Sequence, residues 1–514
     1  MATRTVDRST EAPRKAVPRR PPNRIGLLAR LLSVGAIALL AGSRSTAAAA
    51  ASSTGVAHFL VLGRAGADLS VVEQSVRDAG GTVVASWPQI GVVVATSSSA
   101  DFAGSVRGRS GVEGAGASRN LVELGGPPPL VARTKARFVE RVDGVVPTWA
   151  ARAPSATGDP LAVDQWNLAA IAADLAHEVS GGSPDVVVGI LDSGIEASHP
   201  DLAVNIDAAR SVGCLDGVAD TSPAAWMPTA DDHGTHVAGI VAAARNGIGV
   251  VGVAPNVKVA SVKVVDDDGF IYPEAAICGF VWAAEHGIRV TNNSYFIDPW
   301  FFWCRSDPDQ KAVSSAILRA VNYAARRGVV NVAALGNSNW DLAHGLVDRW
   351  SPDNGNAVVR DVGNDCLMLP SEIRGVVHVS ATGADDEKST YSNFGRRVTT
   401  VAAPGGDTLQ IPTTPSANGG ILSTITGGAW GWMHGTSMAS PHAAGVVALV
   451  RSAHPDWSSA RVVAALRRGA ERLPCPLAPR DPTADGAWAA TCEGGASGSG
   501  FYGAGLVDAL RALQ

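Results

Sequence analysis

Four residues of this chain have the types and settings for acyl-transfer chemistry: Asp192, His233, Asn337 and Ser437. Ser437 stands in Gly435-Thr436-Ser437-Met438-Ala439-Ser440-Pro441-His442, ahead of the apolar run Ala443-Ala444-Gly445-Val446-Val447-Ala448-Leu449-Val450. This pattern predicts a buried helix with the serine at or near its N-terminus, where free N–H groups and the helix dipole favour negative charge. Pro441 is expected in the first turn, where a missing N–H costs no hydrogen bond. Asp192 closes the apolar run Val186-Val187-Val188-Gly189-Ile190-Leu191, and Gly194 lets the chain leave sharply. His233 opens a segment of small residues, Gly234-Thr235-His236-Val237-Ala238-Gly239, that would let an imidazole approach a neighbouring strand. Asn337 ends Val329-Val330-Asn331-Val332-Ala333-Ala334-Leu335-Gly336, and its amide could donate to a developing oxyanion. Singly, these residues read as turn and cap residues. Together they supply what a serine hydroxyl needs: a base, a carboxylate to orient that base, and a donor for the oxyanion. His236 reads as a packed structural histidine, since zinc helices space their ligands at i and i+4 with a glutamate between.

The elements that must position these residues follow from hydrophobic patterning. Continuous apolar runs at 186–191, 258–265, 289–293, 328–335 and 375–381 have the character of buried parallel strands. Helix patterns lie between them at 237–245, 273–285 and 312–327. This alternation implies an α/β fold, a mostly parallel sheet with helices on both faces, whose sites gather at the carboxyl ends of the strands. Residues from about 58 to 124 have a different pattern. Strands are expected at 58–62, 82–87 and 90–94, with a last one near 120–124. Helices are expected after Asp68 and over 99–106. The order β-α-β-β-α-β suggests a small ferredoxin-like α+β unit. Gly125-Gly126-Pro127-Pro128-Pro129 then reads as an exposed linker.

With 514 residues, 46% hydrophobic and 17% charged, the composition is that of a globular protein. A net charge of −5 without a basic stripe argues against a nucleic-acid partner. Arg14, Lys15, Arg19, Arg20 and Arg24 precede an apolar run from Leu31 to Ala41 and an alanine tract at 47–51. That layout predicts a secretory signal and a secreted, extracellular protein. Pro-Pro-Asn after Arg19-Arg20 favours the general export route over a twin-arginine one. No second apolar run approaches a membrane span, so no membrane anchor is expected. In such a compartment the six cysteines are expected to form disulfides, and no C-x-x-C pair supports zinc.

Asp192-Ser193-Gly194, His233-Gly234-Thr235-His236 and Gly435-Thr436-Ser437-Met438-Ala439, in this order, resemble the three catalytic motifs of the subtilisin-like serine peptidases, the subtilases. The resemblance runs from about Asp185 to the C-terminus and includes the N-terminal unit, which looks like the family's inhibitory propeptide. It implies a subtilisin-like three-layer fold and a serine endopeptidase. Ser437 would be the nucleophile, His233 the general base and then acid, and Asp192 the orienting carboxylate. Asn337 and the Ser437 N–H would form the oxyanion hole. It also implies two backbone segments that pair with an extended polypeptide substrate. These correspond to Gly269-Phe270-Ile271 and Ser294-Tyr295-Phe296, with bulky residues where the family usually has glycine at Ile271 and Phe296. Ala334, Leu335 and Gly336 would line one wall of the primary specificity pocket. A structural calcium would take Asp201, Asn246 and the carbonyls of Ala244, Ile248 and Val250, an oxygen-only set suited to a hard cation. No catalytic cofactor is implied. The expected organisation is a signal region at 1–51, an inhibitory and chaperone propeptide at 52–125, a linker and maturation region at 126–158 and a peptidase domain at 159–514, acting as a monomer. Cys304 with Cys366 would join two insertions, at 295–304 and 337–370, and Cys475 with Cys492 would close a late loop, leaving Cys214 with Cys278. Six cysteines allow 15 pairings, and the sequence does not choose among them. The aromatics of the first insertion are expected to pack locally. A serine esterase would carry G-x-S-x-G, which Gly435 to Ala439 does not match. A non-catalytic scaffold would carry an altered triad, and all three residues are present.

Overall fold

The computed structural model describes residues 55–119, the backbone of 145–146, and residues 158–229 and 231–514. The N-terminal pattern resolves into β1 (Ala57–Gly63), α1 (Leu69–Asp78), β2 (Thr82–Trp87), β3 (Val92–Ser97), α2 (Phe102–Arg107) and β4 (Val112–Ala117). The four strands form an antiparallel sheet in the order β2-β3-β1-β4. Asp68 caps α1 by accepting from the Ser70 N–H, as its position before the helix predicts. The fourth strand of this sheet is Val-Glu-Gly-Ala-Gly-Ala at 112–117; the strand expected near 120–124 lies outside the described residues. Its glycines give it no apolar alternation to read. They are present because β4 runs against another segment. A Cβ at Gly116 would stand 2.3 Å from the carbonyl oxygen of Asp309.

The second layer system is a seven-stranded sheet. Its strands are β5 (Val187–Asp192), β6 (Val212–Gly213), β7 (Lys258–Lys263), β8 (Val290–Asn293), β9 (Val330–Ala334), β10 (Val377–Thr382) and β11 (Val401–Pro404). They lie in the order β11-β10-β9-β8-β5-β7-β6, and every pairing is parallel. The chain adds strands to one side of β5 and then to the other, so the strand order reverses there. In open parallel sheets ligands bind beside the carboxyl ends of strands at that reversal.

Successive residues of a strand face opposite ways, and the core divides accordingly. Val188 and Ile190 of β5 join the cluster containing α3 (His233–Ala242) and α6 (Thr436–Ala453). Val187 and Leu191 join the cluster containing α4 (Pro273–Glu285) and α5 (Pro308–Arg326). Leu60, Leu62, Ile90, Val92 and Val94 belong to that second cluster too. The N-terminal sheet therefore covers the outer side of α4 and α5, while its other face packs α1 and α2 through Phe59, Val61 and Phe102. This explains why α4, Pro-Glu-Ala-Ala-Ile-Cys-Gly-Phe-Val-Trp-Ala-Ala-Glu, has almost no polar face: it is sandwiched between two sheets.

Three disulfides join Cys214 to Cys278, Cys304 to Cys366 and Cys475 to Cys492. The second ties the two insertions together. Arg360 reinforces it, donating from Nε and Nη2 to Asp348 Oδ2 (3.0 and 2.8 Å) while its guanidinium lies 4.5 Å from the Trp300 ring centre. Phe301, Phe302 and Trp303 are buried, so the aromatic insertion packs locally. A hairpin of β12 (Ile421–Ile425) and β13 (Ala429–Met433) precedes α6, and the short strand Val145–Val146 pairs with β13.

Candidate active site

Asp192 is the last residue of β5, at the strand-order reversal, and is 1% exposed. Its Oδ1 accepts from His233 Nδ1 at 2.8 Å and from the Ser193 N–H at 2.8 Å. His233 is the first residue of α3. Gly234 allows its approach, since a Cβ there would stand 2.3 Å from the Gly194 carbonyl oxygen. Burial disfavours the charged imidazole, but the Asp192 carboxylate outweighs this through its charge and hydrogen bond. Asp231 adds to the same effect, and the pKa is pushed up to about 9. The other ring nitrogen, Nε2, is buried without a hydrogen-bond partner. An imidazole anchored through Nδ1 with an open Nε2 is set up to exchange a proton there.

His236, one turn along α3, is a packed structural histidine, as its spacing predicts. Its Nε2 donates to the carbonyls of Ile421 (3.0 Å) and Gly431 (3.1 Å), and burial lowers its pKa to about 3.

Ser437 is the second residue of α6, after Gly435 at the N-cap. Its Oγ donates to the Ser294 carbonyl at 3.2 Å, and Ser294 Oγ donates back to the Ser437 carbonyl at 2.8 Å. The pairing of Leu191 with Asn293 puts Asp192 and Ser294 at neighbouring strand ends, which joins the serine to the Asp–His pair. Pro441 does not sit in the first turn but one turn further in. The carbonyl its missing N–H leaves without a helical donor is that of Ser437, four residues back, and the Ser294 hydroxyl fills that role.

Asn337 follows β9. Its Oδ1 accepts from the Thr436 N–H (2.9 Å) and Thr436 Oγ1 (2.8 Å), while Thr436 Oγ1 also accepts from the Gly336 N–H (2.9 Å). A Cβ built on Gly435 would lie 3.3 Å from Asn337 Nδ2 and 3.6 Å from the Ser437 nitrogen. Two N–H donors thus flank one small volume beside the serine, and glycine at 435 keeps that volume open. Thr436 and the Ser294 side chain were not singled out by motif reading, because their roles depend on strand neighbours.

The expected substrate walls fare differently. Ser294 and Tyr295 adjoin the serine, with the Tyr295 hydroxyl donating to Asn293 Oδ1 at 3.0 Å. Phe296 stacks on Phe301 with ring centres 4.2 Å apart. Ala334 and Leu335 are buried, and Gly336, at φ +100°, packs near Met368. Gly269, at φ +87°, makes a turn in which its N–H donates to the Asp266 carbonyl (3.1 Å). In the same turn Phe270 exchanges hydrogen bonds with Asp266 (3.0 and 2.8 Å). Ile271, on the other expected wall, is already engaged by Asp298. Its N–H donates to Asp298 Oδ2 (2.6 Å) and its carbonyl accepts from the Asp298 N–H (2.9 Å). Asp298 belongs to the aromatic insertion, which has taken over both hydrogen-bonding groups of that residue.

The loop after α3 has a donor set that fits calcium. Asp201 is fully buried, and its Oδ1 has no hydrogen-bond partner. Oδ2 accepts from the Val250 N–H (2.9 Å) and Trp430 Nε1 (2.7 Å). Burial, opposed by these bonds, pushes the Asp201 pKa up to about 7, and the charge of Asp159 contributes. Asp159 Oδ1 accepts from the N–H groups of Asn246 (3.1 Å) and Gly247 (2.9 Å), so a second carboxylate joins the loop from the start of the domain. Asn246 Oδ1 accepts from the Ile248 N–H (3.1 Å), closing the turn that carries the carbonyls of Ala244, Ile248 and Val250. Asp159 had no motif to announce it.

The subtilase family model matches residues 183–505. The chain belongs to the subtilase family. Subtilisin BL of Lederbergia lenta is 30% identical over 352 residues, covering 68% of this chain and 98% of its own. Subtilisin E of Bacillus subtilis is 31% identical over 299 residues, 58% of this chain and 63% of its own. Among solved structures, the epidermin leader peptide processing serine protease of Staphylococcus aureus aligns with a TM-score of 0.63 at 19% identity, covering 89% of this chain and 98% of that one. Fervidolysin of Fervidobacterium pennivorans aligns with a TM-score of 0.58 at 23% identity, over 90% of this chain and 61% of that one. This subtilase is thus a serine endopeptidase acting on polypeptides, with the α/β fold of its family. Among the described residues, no helix is long and apolar enough to cross a membrane.

Proposed function

We propose that this subtilase is a secreted endopeptidase, made as a self-processing preproenzyme, that cleaves peptide bonds through Asp192, His233 and Ser437. The observation that carries the reading is the buried Asp192–His233 pair, with Nε2 open, at the strand-order reversal that also holds Ser437. Rotation of the Ser437 hydroxyl away from the Ser294 carbonyl offers its proton to Nε2. As His233 takes that proton, Oγ bonds to the substrate carbonyl carbon and negative charge moves to the carbonyl oxygen. The Ser437 N–H and Asn337 Nδ2 stabilise that oxyanion; one such side-chain donor is worth about 3 kcal/mol in subtilisins. His233 then gives the proton to the leaving nitrogen as the C–N bond breaks and the acyl-enzyme forms. Water repeats the sequence on the ester, and Ser437 regains its proton. Asp192 holds the ring through Nδ1 and steadies the imidazolium.

We further propose that an extended substrate pairs mainly along Ser294-Tyr295, because Ile271 on the opposite wall is occupied by Asp298. Ala334, Leu335 and Gly336 would border the side-chain pocket beside the serine. When bound, calcium would rigidify the loop through Asp159, Asp201, Asn246 and the loop carbonyls; it plays no part in the bond-breaking steps. Residues 52–125 would act as chaperone and inhibitor, and the mature enzyme would be a monomer. The basic and apolar N-terminal stretch and three disulfides support export. The test is casein hydrolysis by wild type, Ser437→Ala and His233→Ala. Each variant should lose activity by about four orders of magnitude or more. Proteolysis retained by Ser437→Ala would refute the assignment.

A further inference from the structure

The turn that carries Asn337 is held from behind by one side chain that no motif marks. Asn393 is fully buried between β10 and β11, and its amide spans the turn. Its Nδ2 donates to the Leu335 carbonyl at 2.8 Å, on the strand side of Asn337. Its Oδ1 accepts from the N–H of Ser338 at 3.0 Å and of Trp340 at 2.9 Å, on the far side. Its own N–H donates to the Gly336 carbonyl at 2.9 Å. Four hydrogen bonds therefore fix the backbone before and after Asn337. Gly336 makes this possible, since a Cβ there would stand 2.6 Å from Asn393 Nδ2.

Seen from Asn337, two clamps act on one residue. Thr436 holds its side-chain oxygen, which sets the amide plane. Asn393 holds the peptide units that set where its Cα stands. Hydrogen-bond stabilisation of an oxyanion depends on donors already in place, and small misplacements cost orders of magnitude in rate. A buried amide with both ends satisfied is well suited to hold such a turn rigid.

We propose that Asn393 is a positioning residue for catalysis, fixing the turn so that Asn337 Nδ2 meets the oxyanion. This rests on the peptidase reading and on the role of Asn337 in it. Asn393 touches neither substrate nor reacting atoms, and it acts only through Asn337. Its loss should therefore lower kcat, leave KM nearly unchanged, and matter little once Asn337 is gone. A residue that merely stabilised the fold would not show that dependence.

The experiment is a double-mutant cycle on the processed enzyme, made from the full chain, with a peptide amide substrate: wild type, Asn393→Ser, Asn337→Ala and the double variant. Ser437 labelling by a fluorophosphonate gives the concentration of competent enzyme in each. Asn393→Ser should lower kcat about tenfold or more, with KM within about twofold. In the Asn337→Ala background the same change should lower kcat by less than about twofold. If Asn393→Ser does not yield folded protein, Asn393→Asp goes through the same cycle. It keeps the shape and both acceptor contacts, and as a carboxylate it sets an oxygen against the Leu335 carbonyl in place of the amide donor. An unchanged kcat, a KM rising in step, or full losses multiplying in the double variant would overturn the positioning role. A wild type unlabelled at Ser437 would overturn the peptidase reading and this role with it. A labelled wild type with multiplying losses would overturn the role of Asn393 alone.

Discussion

At His233 the competition between burial and the Asp192 carboxylate ends in favour of the charged imidazole. A general base works only when neutral, so raising its pKa moves activity towards alkaline pH. The log of kcat/KM should therefore rise with pH along an acid limb whose midpoint lies above the ordinary imidazole value of 6.5. Asp231→Asn, which removes a contributing negative charge, should move that midpoint down; an unmoved midpoint would contradict the electrostatic account. Asp192, His233, Asn337 and Ser437 were legible in the sequence because each ends or begins an element with a distinctive composition. Asp159, Thr436 and Asn393 were not. Each makes its contacts with segments between roughly 50 and 100 residues away, and nothing local to an Asn in Tyr391-Ser392-Asn393-Phe394 reveals which turn it will hold.

Elements were read well where period and length agreed, as for α4, whose predicted and observed bounds coincide at Pro273–Glu285. Other features could not be read for physical reasons. Nothing in the sequence announces that Asp298, in an insertion with no periodic pattern, bonds both the N–H and the carbonyl of Ile271. Two predictions belong at this scale. Asp201, raised to about 7, favours its protonated form in the cation-free fold. Its contribution to stability is therefore present below the ordinary carboxylate pKa and lost as pH rises through about 7. In chelator, Tm should fall between about pH 5 and pH 8. Added calcium should restore more of it at the higher pH, where the carboxylate is ionised. Equal calcium effects at both pH values would exclude Asp201 as a ligand. The second prediction concerns Cys304–Cys366, which closes a span of 62 residues. Replacing both by alanine should cost about 4 kcal/mol in a reversible denaturation measurement. A loss well under 1 kcal/mol would show that Arg360 and the aromatic cluster hold the insertions unaided.

For the whole molecule, the N-terminal sheet and the peptidase share a core through α4 and α5, and charged groups border it. Arg319 Nη1 donates to the Gly63 carbonyl (3.0 Å) and the Ile90 carbonyl (3.2 Å), while Nη2 donates to Glu113 (2.7 Å). Arg119 Nε donates to the fully buried Glu274 (2.7 Å), and Arg107 pairs with Asp309. If residues 52–125 restrain the enzyme, Arg319→Ala should weaken that restraint about tenfold, the loss of roughly 1.4 kcal/mol of contact. Release kinetics of peptidase activity after processing would report it; unchanged release would mean that this contact does not hold the unit in place. The β-α-β-β-α-β order was readable in the sequence, but the contact face was not, because α4 reads simply as a buried helix and does not say which sheet covers its second side. The central claim, that four separated segments build one nucleophilic serine, is tested most directly by treating the processed enzyme with a fluorophosphonate and mapping the adduct by mass spectrometry. The account predicts one adduct per molecule, on Ser437. A folded, processed enzyme that takes no label, or takes it on another serine, would contradict it.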